Sequence, residues 1–82
     1  MDIDRKKTRR WLIKAPKTPF CKVVEEAKLT PFQQSIIRDR FMLGKSNIEI
    51  AIKNHVSIET IRNELAKAYD NLGGAIAYLV EA

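Results

Sequence analysis

The sequence predicts an all-α fold: a small bundle of four or five helices containing a helix-turn-helix, led by a basic N-terminal arm. Three observations predict it. Apolar residues recur at helical spacing from residue 18 onward, and no stretch alternates as a strand would. Helix-opening signatures punctuate the chain: Thr18-Pro19, Thr30-Pro31, Ser46-x-x-Glu49 and Ser57-x-x-Thr60. Finally, 82 residues hold one small core and little more.

The arm spans residues 1–17. It carries Arg5, Lys6, Lys7, Arg9, Arg10, Lys14 and Lys17 against Asp2 and Asp4, a net +5 that equals the charge of the whole chain. Residues 18–82 are neutral, with eight basic and eight acidic groups. So concentrated a charge suits either a solubilising tail or a contact that releases counterions from phosphates. The segment has no long helical period and ends in Ala15-Pro16-Lys17; Trp11-Leu12-Ile13 is its one apolar piece and should dock on the domain.

Residues 18–82 form the domain. A first helix, about 18–28, opens on Thr18-Pro19 and turns Phe20, Val23, Val24 and Ala27 inward. Threonine accepts hydrogen bonds from the orphan amides, and proline loses no bond at the first helical position. A second, about 31–43, buries Ile36, Ile37, Phe41 and either Phe32 or Met42, and Gly44 ends it as a left-handed residue. Ser46 and Glu49 form a capping box for a short helix over 47–54. Ser57 opens the next, which runs to about Leu72 with Ile61, Leu65, Ala68, Tyr69 and Leu72 on one face, stopped by Gly73-Gly74. Residues 75–81 form a last apolar segment.

Within 47–72 lie a short capped helix, a tight turn and a longer capped helix. Ala51 is small where the two cross, Val56 plugs the space between them, and Ser57 caps the second. Asn54 and His55 make the turn; both residue types tolerate positive φ, so His55 is read as geometry rather than chemistry.

On Gln33, Ile36-Ile37, Arg40-Phe41, Gly44, Ser46, Glu49-Ile50-Ala51, Val56-Ser57, Thr60-Ile61, Leu65, Ala68 and Leu72, the run 29–72 resembles two families. One is the fourth region of the bacterial sigma-70 family; the other is the DNA-binding domain of LuxR-type (GerE-like) response regulators. The spacing from Leu29 to Ala51 is sigma-like, and the opening Leu29-Thr30-Pro31 is LuxR-like. The chain departs from both at Asn54 and His55, where leucine and glycine are usual. It departs also at Ile48 and Ile52, which stand at polar positions, and at Glu64, where a basic residue is common. The Trp11-Leu12-Ile13 piece or the first helix is expected to cover Ile48 and Ile52, and Ile52 or the N-terminal segment to replace the missing leucine.

The resemblance implies a DNA-binding transcriptional regulator, bacterial or phage-borne and cytoplasmic, whose recognition helix (58–72) enters the major groove. It implies base reading by Glu59, Arg62, Asn63 and Ala66: arginine pairs with guanine, asparagine with adenine, and glutamate accepts from cytosine. Lys45, Ser46, Asn47, Lys53, Ser57, Thr60 and Lys67 would meet phosphate, as would Arg5, Lys6, Lys7, Arg9 and Arg10 of the arm. Deleting residues 1–10 should then weaken binding to every sequence and flatten its salt dependence. The partner is double-stranded DNA, with RNA polymerase or another regulatory protein admitted by the sigma likeness. The other readings are a protein-interaction module on the same scaffold and a phage small-terminase-like DNA-recognition subunit. Residues 75–82 either pair two copies or close the monomer's own core.

No enzyme is expected and no cofactor. One His and one Cys, 34 residues apart, fall short of the roughly four ligands of a zinc site. There is no glycine-rich phosphate loop, and no apolar run approaches the ~20 residues of a membrane span. A single Cys21 forms no internal disulfide, which fits a reducing compartment.

Overall fold

A computed structural model describes residues 5–81, with side chains up to residue 79. The described chain holds five α-helices and no strand: α1 (Arg5–Lys14), α2 (Lys17–Glu26), α3 (Pro31–Phe41), α4 (Asn47–Asn54) and α5 (Ile58–Ile76), closed by a π-helical turn over Ala77–Glu81. Helix α5 is the spine, packing against each of the other four. Its buried stripe is Ile61, Leu65, Ala68, Tyr69, Leu72, Ala75 and Ile76. Around it close Leu12 of α1, Phe20, Val23 and Val24 of α2, Ile36 and Ile37 of α3, and Ile50 and Ala51 of α4.

The expected arm is a helix. Residues 5–14 form α1, its Leu12 is 1% exposed, and Arg5 grips Asp70 of α5 through two hydrogen bonds of 2.8 Å. Residues 1–17 show no long helical period, yet one short apolar stripe suffices for a helix when α5 supplies the other wall. Residues 1–4 of the arm, with Asp2 and Asp4, lie outside the described residues. Leu12 is buried and Trp11 packs, partly buried, against the core, while Ile13 is exposed, so two of the three apolar residues dock.

Helix boundaries also differ. Pro16, not Thr18, stands before α2, and no side chain caps that helix. Gly73-Gly74 does not stop α5, which runs on to Ile76. Two interior glycines cost roughly 1 kcal/mol each relative to alanine. Burying Ile76 and Ala75 on the far side offsets this, since a fully buried isoleucine contributes about 1.5–3 kcal/mol.

Helix α2 ends at Glu26 and α3 at Phe41, each about two residues short of the expected ends, so Gly44 is not the residue that stops α3. Thr30 and Gln33 form a capping box on α3, and the same Gln33 side chain donates to Glu64 on α5 at 3.0 Å. Glu64 therefore ties α3 to α5, which accounts for an acid at that position. Gly44 is left-handed with φ +70°, three residues beyond the end of α3.

Candidate nucleic-acid interface

Helices α4 and α5 are set against each other by a short chain of local bonds. Ser46 Oγ accepts from the Glu49 amide at 3.2 Å, and Glu49 Oε1 accepts from the Ser46 amide at 2.8 Å, closing the start of α4. Its end is closed by His55 in the left-handed region, φ 57° and ψ 41°. The His55 amide donates to the Ile52 carbonyl at 3.2 Å and the Val56 amide to the Ala51 carbonyl at 3.1 Å. This pair of bonds is the Schellman pattern, with Val56 packed against the core beside it. Asn54 does not enter the core; its Nδ2 donates to the Ile50 carbonyl at 2.8 Å. Ser57 then caps α5, accepting from the Thr60 amide at 3.1 Å, with the two hydroxyls 3.0 Å apart.

The proposed replacement for the missing core leucine fails at Ile52, which is 69% exposed, and Ile48 is 56% exposed. Neither α1 nor α2 covers them. Helix α1 lies instead along α5, so the two isoleucines stand in solvent on the outer side of α4.

Of the residues expected to read bases, Glu59, Arg62 and Asn63 are exposed near the start of α5. Ala66 is half-buried. The phosphate set is scattered. Lys53 is committed to the buried Asp39 of α3 at 2.7 Å. Lys67 lies 3.6 Å from Glu64, and Arg5 is held by Asp70. Ser46 and Ser57 spend their hydroxyls on the caps, and Thr60 meets Ser57. Lys45 is half-buried at the entry to α4. Lys6, Lys7, Arg9 and Arg10 project from α1 and are exposed.

Some of these residues do come together. Arg9 of α1, Arg62 of α5 and Asn47 of α4 line one cleft with Arg40, Leu65 and Tyr69. Arg40 was not among the expected contacts. Its only signal in sequence was the Arg40-Phe41 pair, and its place beside Arg9 depends on how α1 crosses α5. Its guanidinium also lies 5.8 Å from the centre of the Phe41 ring, and Phe41 meets Tyr69 edge to face at 6.2 Å.

The electrostatics agree with the geometry. Burial raises the Tyr69 phenol above its ordinary value, while Arg9 and Arg40 pull it back down. The hydrogen bond from Arg5 holds the Asp70 carboxyl below the usual range, and the same bond raises Arg5. Among the described residues no group of three or more His, Cys, Asp or Glu side chains is placed to share a metal ion. No described helix is long and apolar enough to cross a membrane. No family model matches the chain, and neither does any curated protein or solved structure.

Proposed function

We propose that the protein is a sequence-specific DNA-binding transcriptional regulator, with α4, the turn at His55 and α5 acting as a helix-turn-helix. The observation that carries this reading is the start of α5. A capped tight turn presents Glu59, Arg62 and Asn63 to solvent on the first two turns of the longest helix. That is the part of a recognition helix that meets base edges. The basic helix α1 flanks the same helix, and its exposed Arg9, Arg10 and Lys14 suit phosphate contact. The sigma-like and LuxR-like pattern over 29–72 supports the same class.

Selection of bound sequences from random duplex DNA, at two salt concentrations, tests the reading. A consistent motif recovered at both salts is the expected result, with Arg62→Ala weakening the cognate site more than random DNA. Equal loss on both would make Arg62 a phosphate contact. No enrichment at moderate salt would sink the regulator reading.

A protein-interaction module is the second reading, and one observation favours it. Ile48 and Ile52, a helical turn apart on α4, are both exposed. An apolar pair in solvent is suited to a protein partner such as RNA polymerase or a regulatory protein.

A further inference from the structure

We infer that the cleft between α1, α3, α4 and α5 is a phosphate-binding site, built by Arg9, Arg40 and Arg62 around Asn47. The phosphate is a DNA-strand phosphodiester or a free phosphate; only the first source rests on the DNA reading above.

Three arginines from three helices line one opening, and none of its lining residues is acidic. Like charges repel, so such a cluster is costly unless an anion enters it. Two carboxylates on the same helices are engaged elsewhere. Asp70 is held by Arg5, and Glu49 closes the capping box on the Ser46 amide, while Glu59, one turn before Arg62, is exposed. Arginine is suited to this task because its planar fork offers paired donors to phosphate oxygens.

Asn47 supplies an independent observation. Its Oδ1 is buried and has no hydrogen-bond partner. The amide can be turned end for end with almost no change of shape, which brings Nδ2 to the same position as a donor. A phosphate oxygen in the cleft would then satisfy it. Asn47 is also the first residue of α4, whose leading amides have no acceptor inside the helix. The helix start adds partial positive charge on the same side.

Size agrees with a small anion. The cleft measures about 210 Å³. That is ample room for one phosphate group. Beneath it lies Tyr69, whose phenol feels Arg9 and Arg40. The cleft also changes the assignment of Arg62, which can turn toward the phosphate here or toward a base edge.

The test has two arms on the intact chain. In the first, thermal unfolding is followed in inorganic phosphate and in chloride at matched ionic strength. Wild type is expected to gain several degrees in phosphate over chloride, and Arg9→Gln and Arg40→Gln to lose most of that gain. Arg9 is exposed, so its variant stays informative if Arg40→Gln folds poorly. Asn47→Asp, which places a carboxylate among the three arginines, is expected to abolish the gain as well. An equal gain in wild type and in Arg9→Gln would overturn the site, because phosphate also stabilises proteins nonspecifically. In the second arm, binding to duplex DNA is measured against salt. If the phosphate is a strand phosphodiester, Arg9→Gln lowers the slope by about 0.9, one contact's worth, and leaves sequence preference intact. A variant-sensitive phosphate gain with an unchanged slope, or with no DNA binding at all, assigns the site to free phosphate. DNA binding without a variant-sensitive gain or slope change removes the cleft and leaves the regulator reading standing.

Discussion

His55 holds the left-handed conformation that glycine adopts freely, at a position between two helices that meet at a fixed angle. A side chain there costs about 1–2 kcal/mol, part of which glycine would return as entropy lost on folding. His55→Gly is therefore expected to raise stability by up to about 1 kcal/mol in urea unfolding. His55→Val should lower it, since a branched side chain fits that region worst. Ser46 and Ser57 each satisfy an amide that would otherwise be orphaned, so Ser57→Ala is expected to cost about 1 kcal/mol by the same measurement. Asp70 adds a pH dependence of known sign. Its folded carboxyl titrates below the unfolded one, so its stabilisation is complete above the unfolded value of about 3.9 and is lost as pH falls through the folded value. The difference in melting temperature between wild type and Asp70→Asn should thus be present at neutral pH and shrink in acid.

Helix α1 changes what a truncation would mean. Removing an extended arm would cost only charge, but removing α1 also uncovers α5 by taking away Leu12. Leu12→Ala is expected to destabilise by about 2–5 kcal/mol, the usual cost of emptying a core leucine site. The salt dependence of DNA binding is better probed by Arg10→Gln with Lys14→Gln, which strips exposed charge and spares the core. Helix α5 invites the opposite kind of change. Gly74 sits inside it, exposed, with nothing within 4 Å of where a Cβ would stand. Gly74→Ala should therefore stabilise by about 0.5–1 kcal/mol in urea unfolding. A failure to do so would mean that the end of α5 is helical for reasons other than its own propensity.

At the scale of the molecule, two surfaces compete for the meaning of the fold. The basic side joins α1 to the start of α5 and carries the arginine cleft. The apolar pair Ile48 and Ile52 lies on the outer side of α4, where it adds nothing to the core. Replacing both isoleucines with lysine is expected to leave stability within about 0.5 kcal/mol of wild type, as surface changes do. If a partner protein uses that surface, the same double variant loses the partner while keeping DNA binding. Residues 75–82 do not decide between pairing and self-closure as a unit. Ile76 is buried in the monomer, while Tyr78 and Leu79 are exposed, and the side chains beyond residue 79 are not described.

Local chemistry was legible from the residues alone wherever a signal acts over three or four positions. The capping box at Ser46, the Thr30 and Ser57 caps, the left-handed turn at His55 and the buried stripe of α5 all arise from bonds and periodicities within one helix or its ends. Such interactions need no partner far along the chain, so the sequence by itself determined an all-α bundle and the bounds of α4. Tertiary structure decided the rest. Arg5–Lys14 became a helix because α5 offered a wall for Leu12, and α5 passed two glycines because Ile76 had somewhere to go. Asn54 turned to its own helix's carbonyl instead of the core, and Ile48 and Ile52 were left uncovered because α1 docks elsewhere. The meeting of Arg9, Arg40 and Arg62 has the same origin. Charges 22 and 31 residues apart along the chain share a cleft only after three helices have packed, because burial of apolar faces sets where the cations stand.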